Sequence, residues 1–233
     1  MSGRGRDHEL VDSLRAQMAA RAGTTLGGGY QATVELFATP RGKVVVKRAR
    51  AGWLLGRPAR AAIRHERRIY ERLSGLPGVP RFYGSLDDHS LILEYIPGPS
   101  LRQHEARLGD RKAFFDAFLG TLEGMHAAGV AHGDLKRKDN TIVGPGERPY
   151  IVDFGIACIS RPEGGPINRL WFDWMRQMDY NAWIKLKHGR RPTDLPPADR
   201  ERYKSLWIER VARAVRVAWQ KVTFRRVRKR RRL

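Results

Sequence analysis

Apolar and polar residues follow two different periods along this chain, and the change falls near Pro97-Gly98-Pro99. Before that point the dominant pattern is alternation. Tyr30 to Thr39 alternates well enough for a strand, and Lys43 to Arg48 reads as its partner across a Pro40-Arg41-Gly42 turn. Gly27-Gly28-Gly29 is expected to open a turn ahead of that pair. Two further strands are predicted at Arg81 to Leu86 and Leu91 to Ile96, joined by Asp87-Asp88-His89-Ser90. Helical spacing interrupts the strands twice. Residues 9–22 place Leu10, Leu14 and Met18 on one side. Residues 59–74 space Ile63, Ile69, Tyr70 and Leu73, and Pro77 and Pro80 close the helix.

After Pro99 the pattern turns helical. Ser100 can cap a short helix at 101–108. Residues 111–128 are strongly amphipathic, with Phe114, Phe115, Phe118, Leu119, Leu122 and Met125 on adjoining faces. Two long helical stretches finish the chain, at 166–188 and 197–222. In the last, Tyr203, Trp207, Val211, Ala214, Ala218 and Val222 keep three-to-four spacing, which suits core packing better than base stacking. The expected architecture is α+β. A small antiparallel-sheet lobe spans 25–98 and a short, mainly helical lobe spans 99–222. A helical extension, 1–24, precedes them and a basic tail, 223–233, follows.

Composition narrows the function classes. At 233 residues the chain can bury a real core. Its single cysteine, Cys158, excludes a disulfide framework and a multi-thiolate metal site. The first residues, MSGRGRDHEL, lack the apolar run of a signal peptide, and no stretch approaches the roughly 18 apolar residues of a membrane span. A cytoplasmic protein is expected, peripheral at the inner face of a membrane if it meets one. The net charge of +21 is uneven: residues 1–160 hold 24 Lys/Arg against 17 Asp/Glu, and residues 161–233 hold 21 against 7. The last thirteen residues, KVTFRRVRKRRRL, carry eight cations and no anion. Such a tail is drawn to a polyanion. An anionic membrane surface is the preferred partner, ahead of nucleic acid or a merely solvated end.

Two segments carry the chemistry. HGDLKRKDN, His132 to Asn140, puts Asp134 and Asn140 on one loop. IVDFG, Ile151 to Gly155, puts Asp153 after an apolar run and just before glycine. Between them a Gly144-Pro145-Gly146 turn and a strand-like run, Tyr150 to Val152, make a hairpin. An acceptor for a hydroxyl proton and two oxygen ligands for Mg²⁺ are what phosphoryl transfer from ATP requires.

This pattern resembles the catalytic loop and DFG segment of the protein-kinase-like superfamily. The resemblance extends through residues 25–160 with specific motifs and beyond them in outline. LGGGYQATV resembles the glycine-rich loop, with Gly27, Gly29 and Val34 in place, Gly28 between the two glycines and Ala32 where a third glycine would stand; small residues let backbone N–H groups approach phosphate. Val44-Val45-Val46-Lys47 is similar to the strand whose lysine neutralises nucleotide phosphates, and Glu66 in HERRIYERL is the implied partner of Lys47, with Glu71 as the fallback. LILEYIPG resembles the adenine-binding hinge, which brings in Glu94 and Ile96. The resemblance gives Asp134 the role of orienting the nucleophile and accepting its proton. Lys136 would steady the transferring phosphate, and Asn140 and Asp153 would hold Mg²⁺. His132 is expected to pack structurally.

Three departures matter. Asn140 lies six residues after Asp134 where the family has five, so Asp139 is a rival ligand; the later spacing to Asp153 favours Asn140. Gly133 replaces an arginine that in many protein kinases pairs with a phosphorylated activation loop. No A-P-E follows Gly155, and IACISRPEGGPINRL passes quickly into helix. In these features the chain looks most like the bacterial lipopolysaccharide-core (Kdo/heptose) kinase group, with RIO-like atypical kinases next. The resemblance implies transfer of the γ-phosphate of ATP to a sugar hydroxyl of a lipid-linked glycan. The alternatives are a serine/threonine hydroxyl acceptor and a nucleotide-binding pseudokinase.

Overall fold

Five antiparallel strands in the order β1-β2-β3-β5-β4 form one half of the molecule. They are β1 (Thr24–Gly28), β2 (Ala32–Thr39), β3 (Gly42–Ala49), β4 (Phe82–Gly84) and β5 (Ser90–Glu94). The structure is a computed structural model that describes residues 3–20, 22–28, 32–40, 42–49, 56–189 and 195–204. Alternation along the strands gives the sheet two apolar faces. One face presents Val44, Val46 and Ile92, covered by Leu10 and Leu14 of α1 (Gly3–Ala19). The other presents Val45, Leu91 and Leu93 to α2 (Gly56–Arg72).

The second half is built on helices. They are α3 (Leu101–His104), α4 (Arg111–Ala127), α5 (Gly165–His188) and α6 (Pro197–Arg202). Asp110 caps α4 by accepting the Ala113 N–H at 2.8 Å, which satisfies one of the unpaired donors of the first turn. Phe114, Phe115, Phe118, Leu122 and Met125 of α4 are buried in the same core as Trp183 and Ile184 of α5. Each such side chain contributes about 1.5–3 kcal/mol on burial. That core runs on without a break into Ile69 and Tyr70 of α2 and Leu73 just after it, so both halves share it. Two short antiparallel pairs complete the fold: β6 (Val130–Ala131) with β9 (Cys158–Ile159), and β7 (Thr141–Val143) with β8 (Pro149–Ile151). The α+β, two-lobed, protein-kinase-like fold expected from the sequence is the one observed.

Several boundaries differ from expectation. Gly27 and Gly28, expected in a turn, end β1 and pair with Val34 and Thr33 after an irregularity between Thr25 and Gly27. The glycines keep an extended backbone because the neighbouring strand satisfies their peptide groups. The helix expected over 101–108 is cut to α3 and a 3₁₀ turn, Glu105–Arg107. The Glu147 carboxylate stops it there by accepting the N–H groups of Gly109 and Asp110. β4 and β5 are shorter than predicted, and Tyr95 and Ile96 leave the sheet as connection. The helix expected over 197–222 is described only as α6. Gln177 and Asn181 bond the carbonyls of Arg202 and Lys204 as the chain departs. The remainder of that stretch and the basic tail lie outside the described residues, as does Gly29. Among the described residues no helix is long and apolar enough to cross a membrane.

Candidate active site

The β2–β3 register sets Val34 opposite Lys47, so the strand after the glycines and the lysine strand share one wall. Lys47 lies two residues from Val45 and therefore points to the α2 side of the sheet. On α2, Glu66 falls among the buried positions Ile63, Ile69 and Tyr70 at helical spacing and is itself only 2% exposed. The two meet: Lys47 Nζ lies 2.9 Å from Glu66 Oε1 and 2.8 Å from Oε2. The same ammonium donates to Asp153 Oδ1 at 2.8 Å. Burial alone would lower the Lys47 pKa, but the charges of Glu66 and Asp153 outweigh it and hold it above the ordinary lysine value. Burial likewise opposes ionisation of Asp153, yet Lys47 foremost, then His132 and the Gly155 N–H, hold its carboxyl below the usual range. Glu71, the fallback partner, faces elsewhere and pairs with Arg67 at 3.6 Å.

Asp153 sits in the left-handed region at φ 66°, a sparsely populated conformation for a residue other than glycine. The turn drives Phe154 inward. Its ring packs edge-on against Tyr70 at 5.1 Å and lies 5.0 Å from the His132 ring. Burial, then the charges of Glu66 and Asp153, raise the Tyr70 hydroxyl well above its usual pKa. His65 Nε2 lies 2.7 Å from the Ala157 carbonyl, which ties α2 to the segment after Gly155.

The loop bearing Asp134 hangs from α5. The Asp179 carboxylate accepts the backbone N–H groups of His132 and Gly133 at 2.7 Å each, and His126 Nε2 lies 3.2 Å away. Gly133 has φ +77°, and a Cβ there would lie 2.2 Å from Met175 Cε. The positive φ favours glycine over arginine at this position. His132 is fully buried, with Nε2 3.1 Å from the Val152 carbonyl, as its expected structural role requires.

Asp134 is partly buried. Asn140 donates its amide to the Asp134 carbonyl at 3.1 Å, which leaves the Asn140 side-chain oxygen as an acceptor. Lys136 is 72% exposed, and its Nζ lies 3.9 Å from Asp134 Oδ1. Asp139 is taken by Arg102, whose Nε lies 2.8 Å from each carboxylate oxygen.

A cleft of about 720 Å³ lies between the halves. Leu26, Ala32, Val34 and Val45 line it from the sheet, Ile142 and Val152 from the helical half, and Glu94, Tyr95 and Ile96 at the connection. Lys47, Glu66 and Asp153 line it as well. Asp134, Lys136 and Asn140 stand outside the lining, where Arg137 and Asp139 appear instead. The extra residue of the loop accounts for this: a 3₁₀ turn, Lys138–Asn140, tucks Asn140 under Asp134 and turns Asp139 outward. The Glu94 carboxylate accepts the Arg81 N–H at 3.0 Å, so its side chain ties the strand end.

Among the described residues no group of three or more His, Cys, Asp or Glu is arranged to hold a metal. Asn140 and the Asp153 oxygen not bonded to Lys47 are hard oxygen donors of the kind Mg²⁺ takes when phosphate oxygens complete its shell. The sequence reading missed Asp179, His65 and Arg102. Asp179 did carry a signal, since it interrupts the buried face formed by Phe172, Met175 and Trp183.

Comparison with known proteins agrees on the class. No protein-family model matches the chain. Among curated proteins it is similar to cyclin-dependent kinase F-2 of Oryza sativa subsp. japonica, 35% identical over 94 residues, or 35% of this chain and 28% of that protein. It is also similar to serine/threonine-protein kinase ppk21 of Schizosaccharomyces pombe, 35% identical over 106 residues (42% and 19%). Serine/threonine-protein kinase D of Synechocystis sp. is 26% identical over 88 residues (37% and 17%). The chain therefore spans less than a third of the length of each of these relatives. The similarity supports placement in the protein-kinase-like superfamily.

Proposed function

We propose that this protein is an ATP- and Mg²⁺-dependent phosphotransferase that delivers the γ-phosphate to a hydroxyl. The observation that carries the reading is the junction of Lys47 with Glu66 and Asp153 at 2.8–2.9 Å, beside a loop in which Asn140 braces Asp134. In this reading Lys47, held by Glu66, meets the nucleotide phosphates, and the backbone of Gly27 and Gly28 at the end of β1 approaches them. Ala32 and Val34 wall the base pocket, and the connection from Glu94 to Ile96 binds its edge. Asn140 and Asp153 hold the cation, which when bound neutralises charge on the phosphate oxygens. Asp134 orients the acceptor hydroxyl and takes its proton, and Lys136 swings toward the transferring group. Asp134 is what a binding-only pseudokinase would not need.

The preferred acceptor is a sugar hydroxyl of lipopolysaccharide core or a related lipid-linked glycan, met at the cytoplasmic face of a membrane. Its support is the brevity of the segment after Gly155: α5 begins at Gly165, with only β9 and a 3₁₀ turn between. That leaves little chain to shape a peptide groove. A serine or threonine hydroxyl is the second reading, favoured by the names of the relatives. A γ-phosphate transfer assay offering lipopolysaccharide core and a generic basic protein side by side tests both. Label on the glycan supports the first reading, label on the protein alone replaces it with the second, and label on neither overturns both.

A further inference from the structure

The helix that carries Asp179 has two apolar faces, and only one of them has a partner. Phe172, Met175 and Trp183 are buried beneath the catalytic loop. On the other side Ile167 is 83% exposed, Leu170 74% and Trp171 52%. These positions follow i, i+3, i+4 spacing and so share a face. Trp174 continues it, its ring 4.8 Å from that of Trp171. Ile156, 64% exposed, lies on the short segment leading into the same helix. Among the described residues the exposed large apolar side chains are Ile156, Ile167, Leu170, Trp171 and Leu26. A contiguous apolar surface marks an interaction site rather than ordinary surface scatter.

We infer that this face of α5 docks on an anionic lipid bilayer and presents the active site to it. Charge complementarity selects the occupant. The chain carries a net charge of +21, and Arg161 is exposed on the segment that leads into α5. Lys136 and Arg137 are exposed on the catalytic loop. Tryptophan with aliphatic side chains on a cationic protein suits the lipid interface, where rings sit at headgroup depth and cations meet phosphate. Position adds a reason. Met175, one turn beyond Trp171, lies against Gly133 beside Asp134, so a bilayer under α5 brings its headgroups near the nucleophile-orienting carboxylate. The inference rests on the reading of a lipid-linked acceptor and names the surface that would deliver it.

The test uses full-length protein and Ile167→Glu/Leu170→Glu. Binding is measured to phosphatidylcholine vesicles with and without phosphatidylglycerol, at low and high salt, alongside thermal melting and light scattering. Brominated lipids report the depth of tryptophan. The expected result is quenching of tryptophan in wild type and a fall of about tenfold or more in vesicle binding in the variant. Residual binding in high salt should vanish with the substitution, and melting should be unchanged. Undiminished vesicle binding by the variant overturns the inference. So does a marked fall in melting temperature, which would mean that residues 205–222 of the chain itself cover the face. Loss of a wild-type dimer with lipid binding intact overturns it too, in favour of a second copy. Phosphate transfer to detergent-dispersed glycan separates the two readings: its absence in wild type removes the acceptor assignment, whereas the vesicle data judge the docking face alone.

Discussion

Arg102 holds both oxygens of Asp139 at 2.8 Å from Nε, across 37 residues of chain. The carboxylate nearest the family position for a metal ligand is thus already neutralised, while Asn140, one residue on, braces Asp134. We therefore expect Asn140→Ala to raise the Mg²⁺ concentration needed for half-maximal activity more than Asp139→Ala does. A magnesium titration of both variants decides it, and a larger shift in Asp139→Ala reverses the assignment.

Asp134 and Asp153 should fail differently. Asp134→Asn should lower turnover by about 10²-fold or more with Mg·ATP binding kept, because general-base assistance is worth roughly that much. Asp153→Asn should lose both turnover and nucleotide affinity. Turnover and calorimetric ATP binding measured on each variant separate them. Near-normal transfer by Asp134→Asn would refute the mechanism.

The Lys47–Asp153 contact sets a pH dependence. The Asp153 pKa is depressed in the fold, so its contribution to stability is present above the unfolded carboxylate value and is lost as pH falls through the folded one. The Lys47 pKa is raised, so its contribution is full below the unfolded lysine value and is lost as pH rises through the folded one. The stability gap between wild type and Asp153→Ala should be flat from about pH 5 to about pH 9 and close in stronger acid. Urea melts across that range check it.

Asp179→Ala removes the acceptor for two buried N–H groups and leaves His126 without its carboxylate. We expect a loss of about 3 kcal/mol of stability and loss of activity even where the fold persists. Asp179→Asn, which keeps an acceptor oxygen, should recover part of the stability. Denaturant midpoints for the two variants provide the comparison.

Gly133→Ala should destabilise by about 1–3 kcal/mol, since it combines positive φ with a 2.2 Å approach to Met175. Adding Met175→Ala should relieve the crowding but not the backbone strain. A double-mutant cycle with a favourable coupling term is the expected result.

The parts of the site legible in the sequence are those written locally. Asp134, Asn140, Asp153 and Lys47 each sit in a short run whose residue types and spacing answer to one task. The alternating strands and the phenylalanine-rich α4 were equally plain, because a period of two or 3.6 repeats within a few residues. Asp179 was missed although it interrupts an apolar face, because an acid in a long helix reads as surface charge until its partners, 46 and 47 residues away, are known. Arg102 was hidden for the same reason. The strand at Gly27 and Gly28 was missed because a glycine run signals a turn unless a neighbouring strand fixes it.

The Asp179 contacts have a consequence for the order of assembly. The loop, its hairpin and the helix that suspends it all lie between residues 130 and 188. Lys47 and Asp153, by contrast, close across 106 residues. Closing a longer span costs more chain entropy, and contacts of low sequence separation form soonest. The suspended loop is therefore a local folding unit that can set before the sheet arrives. The bridge from Lys47 to Asp153 is the final stitch, closed only when the sheet and the loop segment 106 residues away have found each other.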